Sequence, residues 1–275
     1  MRYNDMGLLA VLALLLLIFL PCTQAVIVSG VIFNPEVNAG EHVSHEITVS
    51  QKSTENATDL TIDLYDWNQT IDGSNIVGEE GSVKTPYSAK SFLNVTPSSL
   101  HLEPGSTKKI LVEGNIPADT SPGGRYAIVS IMDSPKLAGK GEGTAGLVSV
   151  VVGYKALIMI KVRGDILQTA EITDLSVEKP ISPKQQNVTM TLKNTGNFHY
   201  KPDIELAIKD KNGNILANDT LVTNSSIIPP FSHNFRLSLK PENGLEPGKY
   251  LISARVSLKD GTKIASKEME IEIKT

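Results

Sequence analysis

The stretch of this chain that most resembles a ligand-binding motif is GEGTAG at residues 141–146. The G-x-G-x-x-G spacing binds a dinucleotide pyrophosphate when it joins a strand to a helix, because the helix N-terminus supplies free amides and a positive dipole end. The segment that follows, LVSVVVGYKALIMIKV, is rich in β-branched residues and predicts a strand. We therefore interpret the motif as a flexible glycine-rich connection between two long strands.

A second candidate for chemistry is the pair His42 and His45, which form H-x-x-H. On a strand, residues three apart point to opposite faces, so these imidazoles cannot share one metal ion without a bend. The sequence contains no G-x-S-x-G, H-E-x-x-H or Walker motif. It therefore predicts no metal, no cofactor and no catalytic residues, and we expect a protein that is not an enzyme.

The N-terminus has the architecture of a signal peptide. An apolar run at residues 7–20 precedes PCTQA, which places Thr23 and Ala25 at the −3 and −1 positions of a cleavage site between Ala25 and Val26. The run is shorter than the roughly 20 residues that span a bilayer. We predict cleavage and a secreted or cell-surface protein, with retention as a membrane anchor as the alternative. Cleavage removes Cys22, the only cysteine, so the core alone must stabilise the exported chain.

Charge and glycosylation sequons narrow the class of partner. The net charge is −4 with both signs interspersed, which argues against a nucleic-acid-binding protein. The Asn-x-Ser/Thr sequons predict exposed loop or strand-edge sites for N-glycans in a glycosylating host. The alternative is that Asn and Thr populate turns and polar strand faces. The six sequons begin at Asn56, Asn68, Asn94, Asn187, Asn218 and Asn224.

Beyond the N-terminal segment, short runs of alternating apolar and polar residues predict strands. Asn-Gly at residues 212–213 and Asp-Gly at residues 260–261 are hairpin signals. Each half holds about seven such runs, with turns about every 8 to 12 residues. The sequence therefore predicts an all-β fold of two immunoglobulin-like antiparallel β-sandwiches in tandem. We assign residues 1–25 to the signal peptide, 26–164 to the first sandwich and 165–275 to the second.

Both halves feed a Pro-Gly turn into a strand that begins with a basic residue and a tyrosine. This pattern is typical of a tyrosine corner, in which the hydroxyl group ties a loop to the backbone. We interpret these residues as fold architecture. They are Pro122, Gly123 and Tyr126 in the first half, and Pro247, Gly248 and Tyr250 in the second.

Ordered segments of both halves resemble the WxL-interacting protein family of Gram-positive cell-surface proteins, or an archaeal relative with similar domains. The first half matches through VTPSSLHLEPGSTKKILVEGNIPADTSPGGRYAIVSI and LVSVVVGYKALIMIKVRG, and the second through NVTMTLKNTGN, SIIPPFSHNFRLSLK and LEPGKYLISARV. The resemblance implies surface binding, with cell-wall peptidoglycan, host matrix and WxL proteins as ligands. The membrane helix and basic tail that usually end the family's proteins are missing from this sequence.

We therefore expect a secreted, non-catalytic protein that binds or scaffolds the cell envelope, with envelope or surface proteins and envelope glycans as partners. One alternative is a pilus-chaperone-like assembly factor that binds its partner by strand addition, which requires an unprotected sheet edge. The other is an accessory module of a secreted hydrolase, which requires polar groups that converge in a pocket.

Overall fold

The computed structural model describes residues 26–76, 83–133, 153–178 and 183–274. All regular elements in these ranges are strands, and no helix there is suited to crossing a bilayer. Residues 1–25, with the predicted cleavage site at Ala25, and the glycine motif at residues 141–146 lie outside the described residues. The predicted fold class is confirmed: the chain forms two immunoglobulin-like β-sandwiches.

In its described residues, the first sandwich, domain 1, contains twelve strands, several of them very short. One sheet has the order β1-β4-β10-β8 and the other the order β2-β12-β11-β5-β9, with β3 beside β12. The strands are β1 (Val26–Ser29), β2 (Ile32–Phe33), β3 (Glu36–Val37), β4 (His42–Gln51), β5 (Thr58–Asp66), β6 (Asn68–Gln69), β7 (Asn75–Ile76), β8 (Leu93–Thr96), β9 (Ser99–Leu102), β10 (Thr107–Asn115), β11 (Gly123–Asp133) and β12 (Gly153–Val162).

Domain 1 departs from the predicted antiparallel arrangement in its first chain segment. β1 pairs antiparallel with β4, but β2 and β3 pair parallel with β12 in the opposite sheet. The switch occurs at Gly30, whose φ is +74°. A Cβ atom at Gly30 would lie 2.6 Å from the carbonyl oxygen of Glu46, so only glycine fits this turn between the sheets.

The second sandwich, domain 2, has a three-stranded sheet, β13-β14-β17, and a four-stranded sheet, β16-β15-β18-β19. The predicted hairpins at residues 212–213 and 260–261 connect β15 to β16 and β18 to β19. Gly213 and Gly261 each have a φ of +85°, as tight hairpin turns require. The strands are β13 (Ala170–Val177), β14 (Gln186–Asn194), β15 (Asp203–Lys209), β16 (Ile215–Val222), β17 (Ser232–Leu239), β18 (Gly248–Ser257) and β19 (Lys263–Ile273).

Alternation along the strands builds a separate apolar core in each domain. In domain 1, every second residue of β12 from Ala156 to Val162 faces inward and is buried. In domain 2, Met190 and Leu206 are fully buried between the two sheets. A third, smaller apolar cluster joins the domains.

The core of domain 2 gives a direct stability test. Leu206→Ala should lower the free energy of unfolding of domain 2 by about 2–5 kcal/mol, because it leaves a cavity among fully buried side chains. Leu216→Ala, on the exposed strand β16, should change it by about 0.5 kcal/mol or less. Urea titrations followed by circular dichroism measure both values, and equal losses for the two variants would contradict the assigned core.

Candidate functional site

The apolar cluster between the domains, which we call the joint, covers the outer face of one sheet of domain 1. Trp67, Tyr126 and Ile128 of domain 1 are buried there against Ile228 of domain 2. The Trp67 and Tyr126 rings meet edge to face with their centroids 6.0 Å apart. The half-buried side chains that complete the cluster are Tyr87, Leu157, Met159 and Phe231. Burial of these large side chains holds the domains together.

Buried polar groups fix how the domains meet across the joint. Gln69 is buried and its side chain makes two hydrogen bonds to domain 2. Its Nε2 donates to Ser226 O at 2.9 Å, and its Oε1 accepts from Ile228 N at 2.9 Å. The hydroxyl oxygen of Tyr126 accepts from His199 N at 2.9 Å. Each buried amide would lose its partner if the domains shifted, which costs about 1–3 kcal/mol.

Asn197 of domain 2 ties the Pro122-Gly123 turn to the chain between the domains. Its Nδ2 donates to Asp165 O at 2.8 Å and its Oδ1 accepts from Leu167 N at 2.7 Å. Gly123 has a φ of +122°, and a Cβ atom there would lie 2.5 Å from Asn197 O. The turn interpreted from the sequence as simple fold architecture is therefore also a contact between the domains.

The two tyrosines predicted as corner residues have different roles. Tyr250 donates its hydroxyl hydrogen to Glu246 O at 2.9 Å, four residues upstream in the turn that contains Pro247 and Gly248, which is the geometry of a tyrosine corner. The Tyr126 hydroxyl leaves its own loop and contacts His199 of domain 2. The corner interpretation is therefore wrong for Tyr126. Burial raises the pKa of the Tyr126 phenol well above its usual value, so it remains a neutral hydrogen-bonding group.

The second feature of the site is the N-terminal half of β12. Leu157 N donates to Val31 O, Lys161 N to Pro35 O and Arg163 N to Val37 O, so odd-numbered residues of β12 direct their amides away from β11. Gly153 and Lys155 are also odd-numbered, and they precede Leu157, the first residue of β12 that pairs with β2. Their N–H and C=O groups therefore face a side of the strand on which no described strand lies.

The surroundings of this free edge are partly apolar. Tyr154 points into the gap between the sheets, where its hydroxyl donates to Val26 O and its ring packs against the core. On the outer face, Ile32 is 56% exposed beside Leu157, and Met132 lies opposite Gly153. Apolar side chains thus border both faces of the edge.

The longer strands at the sheet edges of domain 2 carry the usual protections against strand addition. β13 is bulged between Ile172 and Asp174, and Lys267 Nζ donates to Ile172 O and Thr173 O. β17 donates Asn234 N to Ile71 O of domain 1 at 2.7 Å. β19 carries charged side chains at every second position of its final residues, EMEIEI, and β16 exposes Asp219 in its middle.

The histidines predicted not to bind metal lie apart in the fold. His42 contacts Asn115 at 3.1 Å, whereas His45 Nε2 donates to Gly30 O at 2.7 Å and its ring stacks on Phe33. His101 lies between Asp59 and Glu103, which raise its pKa. The described ranges contain no cluster of three or more His, Cys, Asp or Glu side chains placed to hold a metal ion.

Five of the six sequon asparagines are exposed and one is not. Asn94 lies on the edge strand β8 and Asn218 on the edge strand β16, as predicted, whereas Asn187 lies on the central strand β14. Asn68 is buried, and its Oδ1 accepts from Val83 N at 2.7 Å. The prediction of an exposed site is therefore wrong for Asn68, because this asparagine packs beside Trp67 at the start of the joint. The remaining exposed ones are Asn56 and Asn224.

Comparisons with known proteins give structural likenesses only. No family model and no curated protein matches the chain. The class 5 fimbriae chaperone CfaA is 13% identical, with 90% of this chain and 100% of that chain covered and a TM-score of 0.44. The SafB chaperone of Salmonella enterica, solved with the SafA pilin, is in a complex that matches at 11% identity, with 90% and 97% covered and a TM-score of 0.40. The CupB2 chaperone of Pseudomonas aeruginosa matches at 12% identity, with 90% and 100% covered and a TM-score of 0.36.

The joint predicts a difference between the two tyrosines. Tyr126→Phe should lower the free energy of unfolding by about 1–3 kcal/mol, because it leaves the buried His199 N–H without its acceptor. Tyr250→Phe should cost about 1 kcal/mol, since Glu246 O can turn to water. Denaturation followed by Trp67 fluorescence measures both, and a negligible loss for Tyr126→Phe would contradict the geometry of the joint.

The burial of Asn68 predicts selective glycosylation. In a host that modifies Asn-x-Ser/Thr after folding, Asn68 should stay unmodified, while exposed acceptors such as Asn56 and Asn224 become occupied. Mass spectrometry of glycopeptides measures the occupancy of each site. A glycan on Asn68 in folded protein would contradict its placement beneath the joint.

Proposed function

We propose that this chain is a chaperone-like assembly factor of the cell envelope, which holds an extended segment of another envelope protein by strand addition to β12. The observation that supports the proposal is the orientation of Gly153 and Lys155, whose backbone groups face away from β11 with no described strand beside them. A row of free N–H and C=O groups binds an extended peptide through main-chain hydrogen bonds.

A contrast between edges also supports β12 as the binding edge. The other sheet edges of the described chain are short, charged, bulged or covered, as β9, β19, β13 and β17 respectively illustrate. Such features suppress strand addition. The start of β12 carries none of them except the exposed charge of Lys155, so it is the edge at which an incoming strand meets the least opposition.

The side chains around this edge indicate the chemistry of the partner. A strand added next to β12 would place alternate side chains on the two faces of the sheet. On one face they would approach Tyr154 and the gap beside Val26, and on the other they would pass Ile32 and Leu157. This arrangement suits a segment with apolar residues on both faces, such as a strand that is buried in its final assembly.

The joint would give this edge a preorganised setting. Because Gln69, Tyr126 and Asn197 fix the domains to each other, binding would not need to order them. An interface that is already ordered loses less entropy on association. Domain 2 would therefore form a fixed wall beside the outer face of β12, near Leu157 and Met159.

The proposed role requires export of the chain, but it requires neither a cofactor nor a catalysed reaction. The predicted signal peptide at residues 1–25 would deliver the chain to the envelope. Of the functions predicted from the sequence, strand addition accounts for the free edge of β12, which a general adhesion or glycan-binding role does not require. Membership of the WxL-interacting family stays a prediction.

Proline substitution tests the edge selectively. In Lys155→Pro, the N–H lost faces the free side of β12, so pairing with β11 should persist and the fold should be stable. Capture of an envelope partner should fall by at least about tenfold, because a hydrogen bond is lost and the ring obstructs the added strand. Affinity capture from solubilised envelopes, with a photo-crosslinking residue at position 155, measures this loss and identifies the captured segment.

Two variants complete the experiment. Lys155→Ala keeps the N–H and removes the charge, so it should capture the partner like the wild-type chain. Ala156→Pro removes an amide that faces β11 and should destabilise domain 1 instead. Undiminished capture by Lys155→Pro, or no crosslink from position 155 of the otherwise wild-type chain, would show that β12 is not the binding edge.

A further inference from the structure

Domain 2 packs two imidazoles against domain 1: His233, which is buried, and His199, which is half-buried. His233 is 3% exposed, and its Nε2 is a buried nitrogen without a hydrogen-bond partner among the described residues. The turn at residues 70–74 of domain 1 covers this ring so closely that a Cβ atom at Gly73 would lie 3.2 Å from it. Ile71 O accepts from Asn234 N beside it. The turn therefore packs directly on the imidazole whose Nε2 has no partner.

The groups that face His233 offer it one charged neighbour. Asp72, in the turn, is the carboxylate that favours the protonated ring. From its own domain, Leu192 lies opposite on β14 and the Phe235 ring lies 6.3 Å away. Both are apolar, so a charge on His233 would be stabilised from one side only.

His199 lies on the other flank of the joint. Its Nδ1 is 3.2 Å from the Tyr126 hydroxyl oxygen, and the two rings meet edge to face. Two cations lie near it: Lys201 follows it closely in the chain and disfavours protonation, and Lys161 lies over the neighbouring Phe198 ring. Lys259 and the carboxylate of Asp260 line the same cleft as His199. No described carboxylate is among the groups that shift its protonation. Protonated His199 would therefore be a partly buried cation close to Lys201, the charge that opposes its protonation.

We propose that the joint is an acid-sensitive hinge: proton binding by His199 and His233 releases Tyr126 and the turn at residues 70–74 from domain 2 and opens the cleft between the domains. The device does not depend on strand addition, since it uses contacts within this chain alone. Opening would change the wall beside β12 and leave both sandwiches folded, because their cores lie outside the joint.

The sign of the pH dependence follows from proton uptake. Burial lowers the pKa of His199 from 6.5 to about 4 and lowers that of His233, against the opposing effect of Asp72. In the open state both rings are solvated and bind protons near pH 6.5. The closed joint is therefore fully stable above that pH. As the pH falls below it, the opening constant rises by at most about tenfold per pH unit for each histidine.

Trp67, the only tryptophan, lies in the joint and reports its opening. Between pH 7.5 and 4, we expect a reversible red shift of Trp67 emission and a larger radius of gyration by small-angle X-ray scattering, with unchanged far-UV circular dichroism. The variant His199→Phe/His233→Phe should lose this transition. The control His101→Phe, on the exposed surface of domain 1, should behave like the wild-type chain.

Asp72→Asn provides an independent test if the double variant folds poorly. Its Oδ1 still accepts from Ser74 N, but the charge that favours protonated His233 is gone. Opening at a given acidic pH should therefore increase by several-fold, up to about tenfold. The hinge is refuted if the wild-type signals stay constant from pH 7.5 to 4, if Asp72→Asn opens no more readily, or if the double variant opens like the wild-type chain.

Discussion

The start of β12 has one open edge, opposite β11, because the first chain segment changes sheets at Gly30. Had that segment continued as one strand, it would have stayed beside β4 or covered the whole length of β12. Glycine permits this turn, since a Cβ atom at residue 30 would meet the Glu46 carbonyl, and β2 then pairs with β12 only from Leu157 onward. The free backbone at Gly153 and Lys155 thus lies beside a sheet switch that only glycine accommodates.

The joint also depends on β12, through the side chains on the outer face of this strand. Leu157 and Met159 point outward from β12 into the apolar cluster with Tyr126 and Ile228, while Ile158 and Ile160 point into the core of domain 1. The alternation of one strand therefore supports two packed layers. A strand added before Leu157 would extend the sheet that carries the joint, so the free edge of β12 and the contact between the domains belong to one sheet.

The sequence predicted the fold class, the hairpins and the inward-facing residues, because these follow from local periodicity and turn chemistry. It could not predict which apolar residues face domain 2. Tyr126 and Ile128 fit the alternating pattern of any strand with one exposed face. The pairing of Tyr126 with His199, 73 residues away, has no local signal in the sequence. Gln69 lies in a sequon and His233 in a strand, and neither pattern distinguishes a buried interdomain contact from a solvated polar residue. The corner assigned to Tyr126 failed for this reason.

A free sheet edge is costly, since it invites aggregation. In domain 2, that cost is offset at β13 by Lys267 and a bulge, and at β17 by the turn from domain 1. The latter protection belongs to the joint: the turn that covers Asn234 also buries His233. Opening the joint would therefore expose the start of β17 at the same moment that it changed the wall beside β12. The two edges are linked through one turn, so a single proton-driven movement would alter which strand this chain presents to a partner.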